Sequence, residues 1–98
     1  MGLPVIFRTS ALADIEGAYH WYEEKQPGLG SSFMAELGKS EELVSSNPRL
    51  FAPVRGDVRR AILHKFPYGL FYIVQPEFIS VIAVLDHARH PSIWQSRQ

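Results

Sequence analysis

The sequence contains no cysteine, which excludes a disulfide framework, a thiolate metal site and a thiol nucleophile. Its apolar runs fall well short of the ~20 residues a membrane span needs. The start shows no basic segment leading into an apolar one, so the chain reads as a soluble, cytoplasmic protein. Met1-Gly2 fits the beginning of an acylation signal, but Leu3-Pro4-Val5 leads at once into a strand-like segment, which suits a buried edge better than a lipid anchor. Glycine-rich phosphate loops and the Gly-x-Ser-x-Gly elbow are missing, which removes nucleotide-cradle and serine-hydrolase readings. Net charge is missing as well, because ten Lys/Arg balance ten Asp/Glu.

That balance hides an asymmetry. Residues 1–46 hold three basic residues (Arg8, Lys25, Lys39) and seven acidic ones, whereas residues 47–98 hold seven basic and three acidic. The molecule should therefore be electrically two-faced, with a cationic side open to an anionic partner. With 98 residues, 46% of them hydrophobic, the chain has material for one core, and residues 1–98 read as one domain.

Residues 4–8, PVIFR, are rich in β-formers and predict an opening strand. Thr9-Ser10 offers a helix N-cap, and Asp14 and Glu16 follow where negative charge suits the helix dipole. Leu12, Ile15, Tyr19 and Tyr22 recur at spacings of three and four, so a helix is expected over 11–25 with those residues on its buried face. QPGLG (26–30) breaks it. A second helix starts at Ser31-Ser32, with Phe33, Leu37, Ser40 and Val44 on one side and Glu36, Glu41 and Glu42 facing water; it ends at Asn47-Pro48. The period then changes to that of strands. VRRAILHKF (58–66) alternates, with Arg60 pointing one way and Arg59 and Lys65 the other. GLFYIV (69–74) and FISVIAVL (78–85) form a hairpin through Gln75-Pro76-Glu77. The last strand is apolar on both faces, which argues for a central position. The expected fold class is α+β: an antiparallel helical hairpin on one face of a mainly antiparallel four-stranded sheet, a short C-terminal helix, and the other sheet face open and cationic.

Four histidines invite a metal, but His20 stands alone, and His87 and His90 lack an acidic or histidine partner at ligand spacing. No metal and no cofactor is expected. What remains is Arg55, Arg59, Arg60, Lys65, His87, Arg89 and Trp94, with Tyr68 and Tyr72. Guanidinium groups on an open sheet neutralise phosphates, and aromatics stack on bases. Histidine titrates near neutrality, so His87 could move a proton in phosphodiester cleavage while arginine stabilises the developing charge. The plainer alternative makes Arg60 and Lys65 edge charges that discourage aggregation, and Trp94 a cap on the core.

Three stretches, ALADIEGAYHWYEEKQPGLGSSFMAEL, VRRAILHKFPYGLFYIV and IAVLDHARHPSIWQSR, together resemble the RelE/ParE superfamily of bacterial type II toxins, often called plasmid stabilisation proteins. The resemblance spans about residues 4–97. It implies the same fold, growth inhibition, and a partner antitoxin whose C-terminal segment wraps and neutralises the toxin. Two target classes follow from it. ParE-like members poison DNA gyrase without an active site of their own; RelE-like members cut messenger RNA on the ribosome. In the RelE-like case the resemblance gives His87 as acid or base, Arg60 and Arg89 with Arg59 as phosphate clamps, and Lys65 as electrostatic support. Arg55, Arg59, Tyr68 and Trp94 are then target contacts. RelE-like chains commonly carry an arginine after the aromatic that opens the third strand, and here Tyr68 is followed by Gly69, which favours the ParE-like class. A non-toxic, antitoxin-bound relic is the remaining alternative.

Overall fold

The computed structural model describes residues 2–98, so Met1, where the disfavoured acylation reading of Met1-Gly2 begins, lies outside the described residues. The element order is β1 (Val5–Phe7), α1 (Thr9–Lys25), α2 (Leu29–Ser46), β2 (Pro53–Arg55), β3 (Val58–Ile62), β4 (Tyr68–Val74), β5 (Ile79–Asp86) and α3 (Ser92–Gln95). The sheet has five strands in the order β1-β5-β4-β3-β2, one more than expected. The added strand is Pro53–Arg55, which folds back on β3 through a turn where Gly56 takes φ 54. Its three residues are all exposed, so no apolar alternation marked it in the sequence. β1 runs parallel to β5, and the remaining pairs are antiparallel.

α1 begins two residues before the expected start, and Thr9-Ser10 does not cap it. Ser10 Oγ instead donates to the carbonyl of Ile82 at 3.2 Å. The buried face is Ala11, Ile15, Ala18 and Tyr22, while Leu12 is exposed and Tyr19 half-buried. Alanine at 11 and 18 lets the helix lie close to β5, and that close approach settles which face turns inward. The buried face of α2 includes Phe33, Leu37, Ser40 and Val44, as its period predicts. Glu36, expected in water, is instead buried, with Lys39 Nζ at 3.3 Å. The hairpin turn is tighter than the sequence suggests. Gly28 takes φ 89, and Glu23 accepts hydrogen bonds from the amides of Gly28 and Gly30, so a side chain of α1 satisfies the orphan donors that start α2. Gly30 is required there, since a Cβ would lie 2.7 Å from the carbonyl oxygen of Tyr19.

Both helices cover one sheet face, over Ala61, Leu70, Tyr72, Ile79, Val81 and Val84. At one end of this layer Tyr22, Phe33, Phe66 and Tyr68 form a ring cluster with centroid spacings of 4.9 to 5.9 Å, which suits edge and offset contacts between aromatics. β3 stops at Ile62 and not at 66. Lys65 sits at φ 71, and the residue before Pro67 is held out of the helical region, so residues 63–67 form a loop that still sends Leu63 and Phe66 into the core.

The opposite face is not the wet, cationic surface expected. Val58, Phe71, Ile82, Ala83 and Leu85 form a second apolar cluster, and Trp94 of α3 lies on it, stacked on Phe71 with centroids 5.0 Å apart. β5 feeds both clusters, as its apolar composition requires, but it is not the middle strand: β4 is, and β5 lies second in the order beside the short β1. No helix is long and apolar enough among the described residues to cross a membrane.

Candidate functional site: a cleft beside the open edge of β5

β1 is only three residues long and covers β5 as far as Val81. Beyond that point the outer edge of β5 has no strand partner, and unpaired strand groups need other satisfaction. Side chains supply part of it. Ser10 takes the carbonyl of Ile82, and Asp14 Oδ2 accepts the Val84 amide at 3.0 Å. Arg97, from the C-terminus, clamps the same carboxylate with Nη1 at 2.5 Å and Nη2 at 3.2 Å, and reaches the Ile82 carbonyl at 3.3 Å. Arg8 holds the Arg97 carbonyl in turn, at 2.5 Å. The carbonyl of Asp86 is taken by the amide of Arg89 at 3.0 Å. That leaves the Val84 carbonyl and the Asp86 amide, which the pairing register turns away from β4, with no side-chain partner among the described residues.

These two groups face a cleft of about 520 Å³ between α1 and the end of β5. Ala13, Gly17 and Ala18 keep its helical wall low, and a Cβ at Gly17 would meet nothing within 4 Å. Trp21, half exposed at 52%, stands at one end with Lys25 Nζ 4.7 Å over its ring, and Tyr68, Asp86, Ala88 and Arg89 close the other side. Burial raises the Tyr68 phenol above its ordinary range; the nearby Tyr22 and Asp86 add to this and Arg89 opposes it. The group is therefore a neutral O–H donor at physiological pH. Burial, with Asp86 beside it, raises Tyr22 likewise. An open strand edge beside an indole, a phenolic donor and a guanidinium offers the kinds of group by which an added strand is recognised.

The sequence-predicted residues do not converge on one surface. Cross-strand partners share a face, and Arg59 opposes Tyr72 on the helix side whereas Arg60 opposes Phe71 on the other. Arg59 spends its guanidinium on the carbonyls of Phe51 (2.6 Å) and Arg49 (3.5 Å). Lys65 lies in the β3–β4 loop beside Glu36 and Lys39. His87 is exposed in the turn after β5, where its amide donates to Pro67, and Arg55 is exposed at the end of β2. Only Arg89 and Tyr68 reach the cleft. Trp94 is buried and Tyr72 fully so, its hydroxyl donating to the Pro48 carbonyl at 2.7 Å; neither is available to stack on a base. Among the described residues no three His, Asp or Glu side chains gather as a metal site would require. Sequence reasoning missed Trp21, Asp14 and Arg97. The signal for Trp21 was present: Ala13, Gly17 and Trp21 repeat every four residues off the apolar face, which places an indole on an exposed helical stripe.

A family model described as the ParE toxin of the type II toxin-antitoxin system, parDE, matches residues 5–91. The chain belongs to the ParE toxin family. It is the toxin component of a type II toxin-antitoxin system. Among solved structures, the chromosomal ParDE system from P. aeruginosa aligns with a TM-score of 0.75 at 15% identity, covering 86% of this chain and 95% of that one. The RelBE2 toxin-antitoxin complex from Mycobacterium tuberculosis aligns with a TM-score of 0.59 at 18% identity, covering 89% of this chain and all of the other. At such identities the two alignments establish the shared fold. A search of curated proteins finds no match.

Proposed function

We propose that this ParE-family toxin is a non-enzymatic inhibitor of DNA gyrase, neutralised by an antitoxin segment that docks in the α1–β5 cleft. The observation that carries the first part is the dispersal of the cations: Arg59 is tied to backbone carbonyls, Arg60 lies across the sheet from it, and Lys65 and Arg89 belong to separate loops. Phosphodiester cleavage needs cations and a proton carrier around one reacting phosphate. This arrangement favours binding over bond breaking. A target that works on chromosomal DNA places the action in the cytoplasm, with residues 1–98 working as one domain.

The second part follows from the cleft. Toxin-antitoxin complexes are what the two similar structures contain. The free carbonyl of Val84 and amide of Asp86 match one residue of a parallel partner strand, whose neighbouring side chains would meet Trp21 and Arg89.

Induced expression with parallel readouts tests the proposal. Loss of supercoiling by purified gyrase, with intact transcripts, is the expected result. Cut transcripts and immediate translation arrest would establish a ribosome-dependent endoribonuclease, and harmless overexpression a relic. For the cleft, Gly17→Trp should leave the toxin folded and active but no longer neutralised by the antitoxin encoded next to it. Full neutralisation of that variant would move the docking site elsewhere.

A further inference from the structure

A second surface lies at the far edge of the sheet. Between Leu43 and Pro76 the one acidic residue is Asp57, while Arg49, Arg55, Arg59, Arg60 and Lys65 fall in the same interval. The two ion pairs among the described residues are Lys39–Glu36 and Arg97–Asp14. Arg49, Arg55 and Arg60 take part in neither, so three arginines without an ion-pair partner belong to β2, β3 and the segment that leads into them at this edge of the sheet.

The rim is built to hold them. Arg59 bonds the carbonyls of Arg49 and Phe51, and Tyr72 Oη bonds that of Pro48; together they fasten the irregular 47–52 segment onto the sheet and fix where Arg49 emerges. Arg60 is seated differently. Gly69, diagonally across on β4, leaves a hollow in which the Arg60 stem lies, and a Cβ at Gly69 would come within 2.9 Å of both its Cγ and Cδ. The glycine that departs from the RelE-like pattern thus makes room for an arginine arriving from the neighbouring strand. Arg55 pairs with Val58, on the same face as Arg60. Unpaired charges of one sign along this part of the sheet repel one another in the free protein, and an anionic partner relieves that repulsion.

We infer that this rim contacts the phosphate backbone of duplex DNA through Arg49, Arg55 and Arg60. Duplex is favoured over single strands by what surrounds the arginines. The exposed neighbours are aliphatic, Leu50, Val54 and Ile62, and the exposed indole, Trp21, sits on α1. Single-strand recognition stacks bases on aromatic platforms, whereas duplex backbone binding needs only positioned cations. The inference concerns direct binding by the toxin and holds whichever target the toxin inhibits.

Fluorescence anisotropy of the full chain with a short mixed-sequence duplex over a salt series is the test. Three phosphate contacts give a slope of log affinity against log salt of about −3. Each of Arg49→Gln, Arg55→Gln and Arg60→Gln, which keep the stems, should reduce the slope by about one, and the triple variant should bring it near zero. Lys25→Gln and Lys39→Gln, on the helical hairpin, should leave it unchanged, which separates a local rim from general electrostatics in a chain of zero formal charge. Gly69→Ala changes no charge but displaces the Arg60 stem, and should weaken binding. Absence of salt-dependent binding by the parent, a triple variant indistinguishable from it, or tighter binding to single-stranded RNA than to duplex would each overturn the inference.

Discussion

The two faces of the sheet are buried by different means. One is roofed by α1 and α2, 17 and 18 residues long, over an extensive core with an aromatic cluster at one end. The other is covered by four residues of α3, chiefly the Trp94 indole stacked on Phe71, with Ile93 packed beside it. The helical roof is held by apolar contacts spread along two long elements. The thin cover depends on polar fasteners, since Arg97 must reach Asp14 and Arg8 must hold the Arg97 carbonyl to keep the C-terminus in place. Dispersion and hydrophobic burial are distributed and tolerant, whereas a clamp of a few polar contacts fails when one member is lost.

Substitutions on the two faces should therefore fail differently. Phe33 has no exposure and touches three other rings, so Phe33→Ala should cost about 4 kcal/mol of global stability, read from the urea midpoint. Trp94→Ala should cost about 3 kcal/mol, because solvent can reach into the space left beneath so thin a layer. The sharper readout is hydrogen exchange. Trp94→Ala should strip protection from residues 90–98 and leave the amides of α1 and α2 protected, whereas Phe33→Ala should lower protection throughout. Uniform loss in both variants would show that the two layers unfold as one unit.

Asp14→Ala follows with a smaller effect, about 2 kcal/mol. The aspartate serves a guanidinium and a strand amide at once; without it the Val84 amide loses its acceptor and Arg97 keeps only the Ile82 carbonyl there. The cost stays below that of a fully enclosed pair because the side chains retain 12% and 22% exposure. Arg97→Gln should cost less than Asp14→Ala, since the Val84 amide keeps its acceptor. Equal losses would mean that the ion pair alone matters and that the strand amide finds another partner.

The same contrast explains what could be read from the sequence. Phe33, Leu37, Ser40 and Val44 announced the α2 face because helical periodicity repeats over several turns. Leu12 misled, since side-chain size suggested burial while the close approach of α1 to β5 selected Ala11 and Ala18. β5 carried the decisive hint about the second face: a strand apolar on both sides needs two cores, which is incompatible with one wet surface. Simple alternation also fails along it. The register shifts between Phe71 and Tyr72, so Ile82 and Ala83 both turn to the second cluster, and a strict two-residue count from Ile79 puts the following residues on the wrong side. For the site, Tyr68 and Arg89 were legible as chemical types. Their meeting with Trp21 and the open β5 edge was not, because it depends on how short β1 is and where α1 lies.

The smallest effect at neutral pH separates the layers by titration. Burial raises the phenols of Tyr22, Tyr68 and Tyr72 above their ordinary range, and all three belong to or border the helix-side core. The unfolded chain ionises such groups near 10, and the folded chain ionises them only at higher pH. Stability from these groups is therefore complete below about 10 and is lost as pH rises through the folded values, because the unfolded state releases protons first. Absorbance titration of the phenols alongside urea midpoints at rising pH checks the sign. The midpoint should hold to about pH 9 and then fall, and Tyr72→Phe should make the fall shallower after an initial loss of about 1 kcal/mol from the bond to Pro48. Trp94→Ala leaves these phenols in place and should reproduce the parent's alkaline fall from a lower starting point. A flatter alkaline profile in Trp94→Ala would mean that the thin cover also keeps water from the rings on the opposite face, and the two layers would then have to be treated as one.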